Sequence, residues 1–94
     1  MTTRAVIKGV GHYLPDRIVP NSEFAASLET SDAWIKARSG IERRHFAAVG
    51  QGTSDLASRA AVAALHDADL QANDLDAIIV ATSTPDLTFP SVAT

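Results

Sequence analysis

Cysteine is absent from this chain, and three kinds of chemistry go with it: these residues hold no disulfide, no zinc–thiolate centre and no cysteine nucleophile. Long apolar runs are missing too. The most hydrophobic stretch, Ala77-Ile78-Ile79-Val80-Ala81, is far too short to cross a bilayer, and the N-terminus has neither the basic nor the apolar block of a secretory signal. A cytoplasmic protein without membrane contact is expected. Positive charge is scarce. The formal net charge is −3 and the pI about 5.4, and Arg43-Arg44 is too small a basic cluster to form an extended nucleic-acid surface. Aromatic residues make up only 5% of the chain, so the placement of its single tryptophan, Trp34, needs a reason.

What remains is an ordinary globular composition, 46% hydrophobic. Residues 4–11, "RAVIKGVG", are predicted as a strand running into a loop that Pro15 enforces. "NSEFAASLE" is predicted as a short helix, with Asn21 as N-cap, Glu23 in the first turn, and Phe24 and Leu28 one turn apart. "TSDAWIKARSG" repeats that pattern: Thr30 or Ser31 as cap, Asp32 at the positive end, Arg38 at the negative end, and Gly40 as the left-handed terminator. Residues 41–47 alternate weakly, as a strand does.

From Thr53 or Ser54 as cap, residues 53–70 predict a longer helix with the stripe Leu56, Ala57, Ala60, Ala61, Ala64, Leu65 and Ala68. A stripe so rich in alanine demands close packing against a neighbour. "AIIVATS", residues 77–83, is continuous and β-branched, as a strand covered on both faces is. Strand, helix and strand in this order predict an α/β architecture with parallel pairing. Pro90 stands where the first residue of a further helix would be. The helices are too few to cover such a central strand, so residues 1–94 are expected to be part of a larger domain.

Most motif searches fail. Gly9-x-Gly11 lacks the third glycine and the helix start of a dinucleotide fingerprint, since Leu14 and Pro15 stand there. His12, His45 and His66 have no metal-ligand spacing, so no metal site is expected. Neither a G-x-S-x-G elbow nor a P-loop occurs. Trp34 and Arg38 are different: four apart on a helix, they share a face, and an indole beside a guanidinium makes a stacking surface next to a phosphate clamp. Thr30, at the mouth of the same helix, can add a hydrogen bond. Spacing alone leaves a second and commoner reading open, in which Trp34 is a core anchor and Arg38 covers the helix C-terminus.

"TSDAWIKARSGIERRHFA" resembles the N-terminal signature T-S-D-x-W-I-x-x-R-[ST]-G-I-x-x-R of the β-ketoacyl-acyl-carrier-protein synthase III family, the thiolase-fold condensing enzymes. "GVGHYLPD" is similar to the opening strand and turn of that family, "NSEF" to its first short helix, and "IIVATSTPD" and "FPSVA" to the strand and loop that follow. The resemblance implies the N-terminal part of a thiolase-like α/β fold, a mixed sheet with covering helices, incomplete in this chain. It implies that Trp34 and Arg38 hold the coenzyme A of an acyl-CoA primer, by stacking on adenine and by reaching its phosphates, with Thr30 also on the nucleotide. Ser83, where threonine is common in the family, and Phe89 are implied at the acyl pocket, the phenylalanine reaching across a homodimer interface. Phe89 before Pro90 reads equally well as a packing anchor.

The implied reaction loads an acyl group from coenzyme A onto a cysteine, decarboxylates malonyl-acyl-carrier protein, and joins the resulting carbanion to the acyl group with help from a histidine and an asparagine. By the same resemblance these three residues lie beyond Thr94, so the chain alone is expected to be inactive. No cofactor is implied, acyl-CoA being a substrate. Three alternatives stay open: a coenzyme A-binding segment without catalysis, a purely structural one, and a polyketide or secondary-metabolite branch of the same family.

Overall fold

A computed structural model describes residues 3–87, 92 and 93. Its chain divides into two compact units, one formed by Leu14–Gly50 and the other by Met1–Tyr13 with Gln51–Thr94. Each is taken by itself.

In the Leu14–Gly50 unit the order is strand β1 (Arg17–Pro20), helix α1 (Asn21–Ala25), helix α2 (Asp32–Ser39) and strand β2 (Arg43–Phe46). The strands pair antiparallel, Arg17 opposite Phe46 and Pro20 opposite Arg43, so both helices are an excursion between two strands that meet again. The weak alternation of residues 41–47 is thus a real strand. Its partner β1 was not expected, because four residues ending in proline give almost no periodic signal. Val19, 1% exposed, is buried in this unit, and Phe24 and Phe46 pack obliquely with ring centroids 6.1 Å apart. Guanidinium groups lie over both rings, Arg44 at 4.6 Å from the Phe24 centroid and Arg17 at 5.6 Å from that of Phe46. These planar cations cover apolar rings while keeping access to hydrogen-bond partners.

Helix α1 is shorter than predicted, because the chain turns where Ser27 and Leu28 both donate to the Phe24 carbonyl, and Leu28 is exposed. Asn21 is not its cap. Pro20 occupies that position, and the Asn21 side chain points into the unit instead. Helix α2 ends as its sequence demands: Gly40 adopts φ 72° and donates its N–H to the Lys36 carbonyl at 2.8 Å.

The other unit is built on helix α3 (Thr53–Ala68), followed by a single 3₁₀ turn, Ala72–Asp74. The alanine stripe packs as closely as expected. A Cβ placed on Gly9 would lie 2.7 Å from the Ala68 backbone nitrogen, and one placed on Gly11 would lie 2.3 Å from that of Ala64. Two residues along the segment match four along the helix, one turn apart, which is the ratio of an extended chain running against a helix. The two glycines therefore serve contact with α3. Val10 N–H adds a 3.0 Å hydrogen bond to the Asp67 carboxylate.

Residues 4–11 and 77–83 enter no ladder among the described residues, and the expected parallel pairing is not formed there. The physical reason is visible in their side chains: Ile7, Ile78 and Ile79 are largely exposed, Ile79 at 95%, so these runs have the composition of buried strands without neighbours to bury them. The start of α3 also differs from expectation. Gly52, not Thr53 or Ser54, is the N-cap, and its N–H is bonded at 2.8 Å by the Asp55 carboxylate.

Candidate functional site

The residues singled out by the sequence fall in both units. Trp34 and Arg38 lie on α2, where Ser31 caps the helix by accepting from Trp34 N–H at 3.1 Å. That cap starts the helix at Asp32 and so fixes which face Trp34 occupies. Trp34 is 56% exposed, and the Arg38 guanidinium lies over its ring, 5.2 Å from the centroid. Within the Leu14–Gly50 unit the indole is not packed as a core anchor. No residue of α2 is fully buried; Ile35 is half-buried and Ala37 is exposed.

An exposed indole backed by a guanidinium offers a flat apolar surface and a fixed positive charge within one helical turn. Arg38 takes part in no ion pair among the described residues. Lys36 on the same helix does: its ammonium meets Glu42 at 2.8 Å. The hydrogen bond and charge of Glu42 raise the Lys36 pKa, and those of Lys36 lower that of Glu42. Thr30, just ahead of the Ser31 cap, is half-buried. Its hydroxyl oxygen is enclosed without a hydrogen-bond partner.

Ser83 lies in the other unit, exposed, in a bend between Thr82 and Thr84. Phe89 and Pro90 lie outside the described residues. The segment holding Ser83 is fastened to the start of α3. Asp86 accepts from Ser54 N–H at 2.8 Å and from the Ser54 hydroxyl, while the Thr53 hydroxyl donates to the Thr84 carbonyl. The Ser54 hydroxyl and then its backbone N–H hold the Asp86 carboxyl below its usual pKa. Sequence reasoning passed over this lock, although two hydroxyl residues at a helix start and an aspartate after a proline were all in view. It also missed Asn21, whose amide is 1% exposed and bonded on both sides. Among the described residues no group of acidic, histidine or cysteine side chains is placed to hold a metal ion, and no helix is long and apolar enough to cross a membrane.

Set beside proteins of known structure, the fold is part of a thiolase-like fold. It matches 3-oxoacyl-acyl-carrier-protein synthase III from Aquifex aeolicus with a TM-score of 0.87 and 41% identity, over 93% of this chain and 28% of that one. Within that class the chain belongs to the β-ketoacyl-acyl-carrier-protein synthase III family: it is 73% identical over all 94 residues to the synthase III of Cereibacter sphaeroides, of which it spans 29%. The priming β-ketosynthase of the R1128 polyketide pathway is similar in fold but more distant in sequence, with a TM-score of 0.86 and 29% identity over 93% of this chain and 26% of its own. No family model matches the chain. The resemblance carried by the signature of residues 30–44 is borne out, and with it the α/β fold class.

Proposed function

We propose that this chain is the coenzyme A-binding part of a cytoplasmic β-ketoacyl-acyl-carrier-protein synthase III, which condenses an acyl-CoA primer with malonyl-acyl-carrier protein through an acyl-cysteine intermediate. The observation that carries this reading is the exposed Trp34 with Arg38 stacked one turn away. Trp34 supplies a face for the adenine ring, Arg38 a guanidinium for the phosphates, and the enclosed Thr30 hydroxyl a hydrogen-bonding group for the nucleotide. Ser83 and Phe89 are proposed to border the acyl pocket, with Phe89 contributed across a homodimer. The chain has no cysteine, so the acyl-cysteine of this proposal does not form on these residues, and their proposed part is to hold the substrate.

On this proposal the nucleotide handle is bound uniformly in ground state and transition state, so its loss shows in KM and not in kcat. In the full-length synthase, Trp34→Ala is expected to raise KM for acyl-CoA about tenfold, as the loss of one base–aromatic stack does. Arg38→Ala is expected to raise it by a similar factor through loss of a charged hydrogen bond. KM for malonyl-acyl-carrier protein should stay put in both. An unchanged KM for acyl-CoA in both variants would refute the assignment. The polyketide reading rests on the R1128 neighbour, but 29% identity there against 73% to the Cereibacter enzyme favours fatty-acid initiation.

A further inference from the structure

Helix α2 presents Trp34 and Arg38 yet buries none of its own residues, and with eight residues it is too short to be stable by itself. Something other than apolar packing holds it. We propose that Asn21 is a positioning residue for the Trp34–Arg38 shelf, clamping α2 at both ends through one buried amide. Its Nδ2 donates to Asp32 Oδ1 at 2.9 Å, on the first residue of the helix, and to the Ile41 carbonyl at 2.7 Å, immediately past the Gly40 terminator. The same nitrogen thus holds the helix where it begins and where it ends.

The other side of the amide ties this clamp to the strands. Asn21 Oδ1 accepts from the Arg44 guanidinium, which also donates to the Val19 carbonyl at 3.2 Å and lies over the Phe24 ring. Asn21 N–H donates to the Glu42 carbonyl at 3.1 Å. Both amide hydrogens and the amide oxygen are therefore used, in a residue only 1% exposed. Only a carboxamide fits these demands. Aspartate would set a second carboxylate against Asp32 and a lone pair against the Ile41 carbonyl, and leucine would leave two acceptors and one N–H donor of Arg44 without partners. A shift of α2 by an ångström would carry the indole and guanidinium out of register with a bound nucleotide, which is how a residue that touches no ligand can govern its binding.

This inference rests on the coenzyme A reading above, and its test separates the two. In the full-length synthase, Asp32→Ala removes an exposed acceptor at the helix start, whereas Asp32→Asn keeps an oxygen in its place. Asp32→Ala is expected to raise KM for acyl-CoA about three- to tenfold, the effect of one lost hydrogen bond, with kcat and KM for malonyl-acyl-carrier protein unchanged; Asp32→Asn should restore KM. Asn21→Asp should raise KM further in the same direction, and if it does not fold the Asp32 pair decides alone. A melting temperature that falls while KM for acyl-CoA stays constant would mark a merely structural role and overturn the proposal. If Trp34→Ala raises KM and the Asp32 pair does not, the clamp fails and the shelf stands. If none of them raises it, both fail.

Discussion

Replacing Gly11 by alanine adds one methyl group where there is no room for it. The new Cβ would stand 2.3 Å from Ala64 N, 2.7 Å from Ala63 C and 2.8 Å from Ala60 O, all backbone atoms of α3 that no rotamer change can move. Relief requires the segment and the helix to part by about 1 Å, since ordinary carbon contacts lie near 3.5 Å or beyond. A gap of that size forfeits up to about half the dispersion energy of every atom pair along the contact, and overpacking of this kind typically costs about 1–3 kcal/mol. Alanine gains back about 0.4–1 kcal/mol by restricting the unfolded chain. The clash wins, and the net loss should be about 1 kcal/mol. Gly40→Ala is the control: nothing lies within 4 Å of its Cβ, so only the left-handed φ of 72° opposes the change, at about 1 kcal/mol. The assay is thermal melting of the full-length protein together with amide hydrogen exchange of α3, which localises the effect. Faster exchange across residues 60–68 in Gly11→Ala, and not in Gly40→Ala, is expected. A Gly11→Ala protein that melts at or above the parent temperature would refute the close-approach argument.

Two further outcomes follow from the helix starts. Ser31→Ala removes the acceptor of Trp34 N–H and should cost about 1 kcal/mol of α2 stability, seen as lower fluorescence anisotropy of the chain's single tryptophan; an unchanged anisotropy contradicts the cap. Asp86 has a depressed folded pKa, so its stabilising contribution is complete above the ordinary aspartate pKa and is lost as pH falls through the depressed value. Exchange protection at the start of α3 should therefore persist into mildly acidic solution and drop only below the usual carboxyl range, whereas Asp86→Asn should remove that acid transition; an identical acid profile for both proteins contradicts the lock.

Helices were the legible part of this sequence. Ser31, Asp32 and Gly40 delimit α2 by local chemistry alone, and the alanine stripe of α3 announced its close neighbour. Gly9 and Gly11 were seen but not understood, because a glycine kept for a distant helix looks the same in sequence as one kept for a phosphate. The strands were less legible. Four-residue β1 carries too little pattern to be read, and residues 77–83 have strand chemistry but no ladder among the described residues, since pairing depends on partners that no local pattern contains. Trp34 and Arg38 were identifiable as neighbours from spacing, yet the exposure of the indole in the Leu14–Gly50 unit depends on the packing around α2, which spacing does not contain. Asn21 misled for a definite reason: asparagine before a helix usually caps it, and here the amide bonds to groups many residues downstream.

The antiparallel pairing of β1 with β2 brings Arg17 and Phe46 side by side, so the span from Arg17 to Phe46 starts and finishes at one place. Segments whose ends lie close together can be spliced between homologous hosts with little distortion of either. Everything that orients Trp34 and Arg38 travels inside that span: the Ser31 cap, the Asn21 amide, the Arg44 guanidinium and the Gly40 terminator. The span that carries Trp34 and Arg38 is thus a portable cassette, and exchanging it whole between relatives should transfer the proposed coenzyme A binding where grafting Trp34 and Arg38 alone would not.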